Sequence, residues 1–284
     1  MNSSIDPTQN HLPSEEQNLG EPEHPKAPGL EHPSKPTKER IVLPNNRQKF
    51  TNPYTQGKVF LINKPLKWTS FDAVNKLKGL IQIKLKLTQD PSGKKLKVGH
   101  AGTLDPLATG LLLICTGTFT KRIEEFQAQE KEYTGIFYLG ATTASFDLET
   151  PIDQHYPIAH ITPELLHQTA QKFIGTIDQT PPVFSAIKVG GKRAYKLARR
   201  GLTPELKSSP KTITIFELTK IELPYVHFRV ACSKGTYIRS LARDFGQALN
   251  SGAHLTQLCR TRIGDFKLQD AQTLEQLKEE LLPL

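Results

Sequence analysis

Cysteine is scarce. The chain contains three, Cys115, Cys232 and Cys259, and no C-x-x-C pair. An odd count without paired spacing argues against both a disulfide framework and a zinc site. Each lies in or beside an apolar run, so three reduced core thiols are expected. Nine histidines show no H-E-x-x-H or similar ligand spacing, and no metal is expected. No apolar stretch approaches the roughly 20 residues of a membrane-spanning helix, and the N-terminus lacks the basic-then-apolar pattern of a secretory signal. These absences lead us to expect a cytoplasmic protein without metal or membrane.

Acid is also short relative to base. Lys and Arg number 37 against 28 Asp and Glu, a formal charge of +9 with a pI near 9.3. Such a balance points to a polyanionic partner, most simply nucleic acid. The excess is uneven. Residues 1–50 hold six basic and seven acidic residues, leaving 31 against 21 for residues 51–284. Those first 50 residues also carry eight of the 21 prolines and few large apolar side chains. They bury too little apolar surface to offset chain entropy, so a disordered polar tail is expected. The whole chain, 284 residues with 37% hydrophobic content, suffices for one sizeable core.

Ordered structure is expected from about Gln56. Lys58–Ile62 reads as a buried strand. Thr69 and Asp72 form a capping-box pattern opening a helix with Phe71, Val74, Leu77 and Ile81 on one face. Ile83, Leu85 and Leu87 alternate with lysines, Asp90-Pro91-Ser92-Gly93 supplies turn chemistry, and residues 94–98 alternate back. This predicts a basic β-hairpin over 83–98, whose lysines suit either phosphate contact or a solvated strand face. Thr118–Phe126 reads as a short helix and Lys131–Leu139 as a strand. Thr162-Pro163 starts a helix running to Phe173, with Gly175 beyond it. Residues 190–201 end in a short, very basic helix bearing Lys192, Arg193, Lys196, Arg199 and Arg200, with no acid at i±4. Strands are expected over Thr212–Ile221 and Tyr225–Cys232, a helix to Leu249, and a last helix capped by Thr273 and Gln276 and running to Leu284.

One stretch organises the rest: Gly99-His100-Ala101-Gly102-Thr103-Leu104-Asp105-Pro106-Leu107-Ala108-Thr109-Gly110. Three glycines and a proline predict a loop. Asp105 precedes Pro106, which biases its backbone toward an extended form. Leu111–Cys115 follows as a buried strand. By residue chemistry alone Asp105 fits two descriptions, an ordinary turn aspartate or a rigidly held functional carboxylate.

This stretch resembles the central motif of the TruB family of tRNA pseudouridine synthases, G-H-x-G-T-L-D-P-x-A-T-G. Further segments resemble the same family. They are Lys64-Pro65 with Trp68-Thr69-Ser70, where Asn63 stands in a position often held by Asp; the K-x-Y of Tyr133; Gly140–Thr150; Ser233-Lys234-Gly235-Thr236-Tyr237-Ile238-Arg239-Ser240; and the run from Gly252 through Leu258, Arg260 and Arg262. The resemblance covers roughly residues 56–284. It implies an α+β pseudouridine synthase fold, a mixed, largely antiparallel sheet with flanking helices and a central RNA-binding cleft. Residues 182–210 match the thumb that closes on RNA. A PUA domain, present in many relatives, is not expected.

The resemblance further implies Asp105 as nucleophile, Arg239 paired with it, Tyr133 packed on the target uracil and serving as base or relay, Tyr237 on the target nucleotide, and Leu258 in the substrate pocket. His100 is implied to lie against the flipped nucleotide and Lys64 to contact substrate, while Lys192, Arg193, Arg199 and Arg200, which lack neutralising acids at i±4, are expected to bind phosphate. Without it, Tyr133 reads as a strand aromatic, His100 as a loop-stabilising histidine and Arg239 as a surface arginine. The implied activity is isomerisation of uridine-55 in the TΨC arm of tRNA by a monomer, without cofactor. Two alternatives are a guide-RNA-dependent enzyme acting on ribosomal RNA, and a tRNA-binding folding chaperone.

Overall fold

The computed structural model describes residues 52–89 and 95–283. The expected tail over 1–50 and the turn at Asp90–Gly93 lie outside them.

The strands are β1 (Val59–Lys64), β2 (Val98–His100), β3 (Ala108–Thr116), β4 (Lys131–Leu139), β5 (Ala141–Thr143), β6 (Ile152–His155), β7 (Gly175–Gln179), β8 (Lys188–Val189), β9 (Lys192–Arg193), β10 (Ser209–Glu222), β11 (Tyr225–Cys232), β12 (Ala253–Ile263) and β13 (Phe266–Lys267). The helices are α1 (Pro53–Gln56), α2 (Ser70–Leu87), α3 (Ile123–Ala128), α4 (Pro163–Gln171), α5 (Ala194–Ala198), α6 (Ile238–Ala248) and α7 (Leu274–Leu281).

Among the described residues, nine strands form one sheet. Its main path runs β1-β3-β12-β4-β11-β10-β7, with β2 on β3 and β13 on β12. Every pairing is antiparallel except β12 with β3, where Leu258 lies opposite Ala108. That parallel pair brings a strand near the C-terminus alongside the strand that follows the Asp105 loop. The α+β class and mixed, largely antiparallel sheet match the expectation.

The core follows from strand alternation and helix stripes. Phe137, Phe216, Phe228 and Phe245 stack between the sheet and α6, with Phe137 and Phe228 centroids 4.1 Å apart. A second cluster packs α2 and α7 on β1 and β3 through Ile62, Leu77, Ile81, Leu112 and Leu277. Both expected capping boxes form, Thr69 with Asp72 and Thr273 with Gln276.

Four local expectations change. The hairpin over 83–98 does not form: α2 continues to Leu87, and β2 pairs with β3. Ile83, Leu85 and Leu87 alternate, but Leu85 also continues the i, i+4 series of Leu77 and Ile81 and packs on their cluster. Lys84 and Lys86 in the last turn suit the helix dipole. Phe71 leaves the buried face of α2 and stands exposed. The basic helix shortens, because Lys192 and Arg193 pair with Lys188 and Val189 as β9 and only Ala194–Ala198 is helical. Finally, the ends of the glycine-rich stretch join strands, leaving residues 101–107 as the loop.

Cys115 and Cys232 are buried, whereas Cys259 is partly exposed. Burial pushes the two buried thiols up to about 11 and about 12. At pH 8 both stay protonated and enclosed, and the thiolate is the nucleophile. The native chain is therefore expected to react with a disulfide reagent at no more than one thiol, and the denatured chain at three. Rapid reaction of two or more thiols in the native state would contradict the core packing of β3 and β11. No described helix is long and apolar enough to cross a membrane.

Candidate active site

Asp105 sits in the β2–β3 loop, and the loop is held from four sides. Its own turn closes with Ala108 N donating to Asp105 O at 3.0 Å. The segment before α2 reaches it where Lys67 N donates to Pro106 O at 2.8 Å. Ser70 Oγ accepts from Leu104 N at 2.8 Å and donates to Leu104 O at 3.1 Å. From β12, the buried Arg260 donates through Nε to Leu111 O at 2.8 Å and through Nη2 to Gly102 O at 3.1 Å. Gly110 has φ +98°, and a Cβ there would stand 2.4 Å from Arg260 O. Only glycine allows β3 to turn out of the loop at such close range.

Arg239 is the second residue of α6 and is buried. Its Nε lies 2.9 Å from Asp105 Oδ2 and 3.6 Å from Asp147 Oδ2. Its other nitrogens donate to Ser145 O at 3.2 Å and Phe184 O at 3.0 Å. One guanidinium therefore joins the Asp105 loop, the β5–β6 connection and the β7–β8 connection. The turn into α6 is fixed by Gln179, whose amide bonds both the N–H and the carbonyl of Tyr237 at 2.8 and 3.1 Å.

Burial pushes the Asp105 carboxyl above the ordinary aspartate range. Arg239 opposes that rise, and Asp147 and Glu149 add to it. The site holds a carboxylate, its side chain 37% exposed toward the cleft, whose ionised form Arg239 favours.

Asp105 faces a cleft also lined by His100, Tyr133, Tyr237 and Leu258. Tyr133 on β4 is buried and its hydroxyl bonds Arg260; burial raises its pKa, so it stands as a phenol rather than as a resident base. Tyr237 also keeps its proton, its pKa raised by burial. Burial and then Arg260 lower the pKa of His100, leaving a neutral ring.

Other expected residues divide. Arg193 and Arg199 reach the cleft, whereas Lys192 and Arg200 are exposed outside its lining. Arg199 has no acid at i±4, yet Glu149 pairs with it at 2.7 Å from across the fold. Lys64 does not face the cleft. It is fully buried, donates to Pro65 O at 2.9 Å and Trp68 O at 2.6 Å, and is pushed down to about 8 by burial. It braces the 65–69 segment that supports the loop.

Sequence reasoning left Asp147, Glu149, Lys211 and Lys234 without roles, and all four border this site. The S-x-D within Gly140–Thr150 and the lysine of S-K-G-T were available signals. Lys211, on β10, had none. Among the described residues no cluster of His, Cys, Asp or Glu could hold a metal.

Comparison with known proteins gives the same direction. Residues 89–238 match the model of the TruB family pseudouridylate synthase N-terminal domain, and residues 239–283 that of the tRNA pseudouridylate synthase B C-terminal domain. The chain is 60% identical over 228 residues to a tRNA pseudouridine synthase B of Flavobacterium johnsoniae, covering 80% of this chain and 97% of that one. It is 58% identical over 226 residues to the Phocaeicola vulgatus protein of the same name, covering 80% and 94%. A solved Cbf5-Nop10-Gar1 complex contains a similar chain, with TM-score 0.59 and 27% identity, over 80% of this chain and 54% of the other.

Proposed function

The chain belongs to the TruB family of pseudouridylate synthases, and we propose that it converts uridine-55 in the TΨC arm of tRNA to pseudouridine with Asp105 as nucleophile. The observation that carries this is the Arg239–Asp105 ion pair at 2.9 Å, set in a cleft with Arg193, Arg199, Lys211 and Lys234 on its walls. The match extends over 94–97% of relatives named for the tRNA enzyme but about half of the Cbf5 chain. This favours tRNA over a guide-dependent substrate. We take the protein to act as a cytoplasmic monomer formed by residues 51–284, with 182–210 as thumb.

The reaction is a balanced isomerisation. The N1–C1′ bond breaks, the uracil turns, and a C5–C1′ bond forms. C5 loses a proton and N1 gains one, with no net oxidation. Three routes share an aspartate: attack on C6, attack on C1′, or assisted glycal formation. Each needs the ionised carboxyl, which Arg239 favours against its burial. Tyr133, as a phenol, stacks on the base and relays the C5 proton by releasing its own. The target base must leave its stack to reach the loop. His100, Tyr237 and Leu258 line the space that receives it.

Tritium release from tRNA labelled at uridine C5 tests the reading. The full chain is expected to release one equivalent per tRNA without guide RNA. Binding of tRNA without release would overturn it.

The cleft cations give a second test. Arg199 pairs with Glu149 at an exposed site, where such pairs are worth about 0–1 kcal/mol, so exchange of Glu149 for a phosphate is cheap. Arg193→Gln with Arg199→Gln is expected to flatten the dependence of log Kobs on log salt by about 0.7–0.9 per phosphate contact removed. Lys192→Gln with Arg200→Gln, outside the cleft lining, is expected to change it less. Equal slopes for the two pairs would contradict this arrangement.

A further inference from the structure

Phe71 lines the same cleft as Asp105, yet the proposed chemistry gives it nothing to do. It is 64% exposed. α2 buries Ala73, Val74, Leu77, Leu80 and Ile81, and Phe71 falls outside that stripe. A single exposed apolar ring is ordinary on a protein surface, but this one lies in the lining of a cleft that also carries Arg193, Arg199, Lys211 and Lys234.

Its backbone is held firmly relative to the loop. Thr69 and Asp72 on either side close the capping box, with Thr69 N donating to Asp72 Oδ2 at 2.8 Å and Asp72 N to Thr69 Oγ at 3.1 Å. Ser70, its immediate neighbour, bonds both backbone groups of Leu104, the residue before Asp105. Lys67 N bonds Pro106 O, the residue after it. Phe71 therefore stands at a station fixed relative to the Asp105 loop.

Resting on the reading that this cleft takes RNA, we propose that Phe71 is a stacking platform for an unpaired base of the bound RNA, distinct from the target uridine. The bases are the apolar faces of a polyanion. Arg193, Arg199, Lys211 and Lys234 supply the charge that brings a polyanion into the cleft, and an aromatic ring binds any base by its face. An apolar protein partner would instead meet those four cations.

The test compares Phe71→Ala, Phe71→Leu and Phe71→Trp in the full chain, using unmodified tRNA transcript as probe. Kd is read by filter binding, and kcat and KM by C5 tritium release. The side chain is exposed, so thermal melting is expected to be unchanged. Phe71→Ala is expected to weaken Kd by roughly 5- to 150-fold, equivalent to about 1–3 kcal/mol. KM is expected to rise in step and kcat to stay within about twofold. Phe71→Trp is expected to restore binding, with its fluorescence quenched by the RNA, whereas Phe71→Leu is not. Phe71→Ala binding within twofold of wild type overturns the proposal, as does Phe71→Leu binding as well as Phe71→Trp. A wild-type chain that binds tRNA but releases no tritium overturns the isomerase reading instead, and the Kd comparison still decides the platform.

Discussion

Asp105→Asn is expected to lower tritium release by at least about 10⁴-fold, the scale seen when a covalent nucleophile is removed, while leaving tRNA binding within about tenfold, roughly 1.4 kcal/mol. The asparagine keeps the size of the side chain and the extended backbone before Pro106. It cannot attack carbon as a carboxylate does. The fold is expected to tolerate the change, because the loop is held by backbone contacts from Lys67, Ser70 and Arg260 rather than by the carboxyl itself. Arg239 retains Asp147 at 3.6 Å and the carbonyls of Ser145 and Phe184. Single-turnover assays and binding isotherms on one preparation separate the two effects. Residual turnover near the wild-type rate would return Asp105 to the role of a turn residue. Binding lost by much more than tenfold would show that the carboxylate also positions RNA.

Removing the cation should act differently. Arg239→Gln is expected to lower kcat by about 10²–10³-fold, typical for loss of one preorganised electrostatic partner, and to move the acidic limb of the pH–rate profile upward. The sign follows from the charges. Burial, Asp147 and Glu149 all raise the Asp105 pKa, and Arg239 is the group that lowers it. Without the guanidinium the carboxyl ionises only at higher pH, so activity that requires the carboxylate appears later as pH rises. Breaking a buried pair also leaves Asp147 uncompensated, at a cost of about 3–5 kcal/mol, visible in urea unfolding. Arg239→Lys is the gentler variant. It keeps a positive charge, yet one ammonium cannot span Asp105, Ser145 O and Phe184 O at once. It is expected to fold, to retain more of the acidic limb than the glutamine variant, and still to turn over slowly. An unmoved acidic limb in Arg239→Gln would mean that the limb reports another group.

Much of the architecture was legible locally because local rules govern it. Lys131–Leu139 is a strand by β-propensity and alternation, and it forms with those bounds. The two capping boxes are encoded within four residues and both form. The misreadings share one cause. Residues 83–87 satisfy period 2 and, through Leu85, period 3.6, and packing against Leu77 and Ile81 decides for the helix. Lys192 and Arg193 had the composition of a basic helix, but pairing with Lys188 and Val189 drew them into a hairpin. Phe71 sat on a plausible apolar face until the angular position of the real stripe excluded it.

The residues themselves determined that a carboxylate would sit on a stiff loop before a proline, that residues 51–284 would carry the positive charge, and, through the motif, which family to expect. The motif also implied Arg239 as its partner, and tertiary structure decided the rest of what surrounds that carboxylate. Arg239 meets Asp105 and Asp147 through contacts spanning many tens of residues. Arg260 reaches back from β12 to two carbonyls about 150 positions away. Lys64 turned out to be a brace beneath the loop, and Glu149 a partner for Arg199. Burial and Coulomb interactions depend on separation in space, and a linear sequence records separation only along the chain. That is why the carboxylate and, through the family motif, its arginine partner were readable in advance, while the raised pKa and the acids that add to it were not.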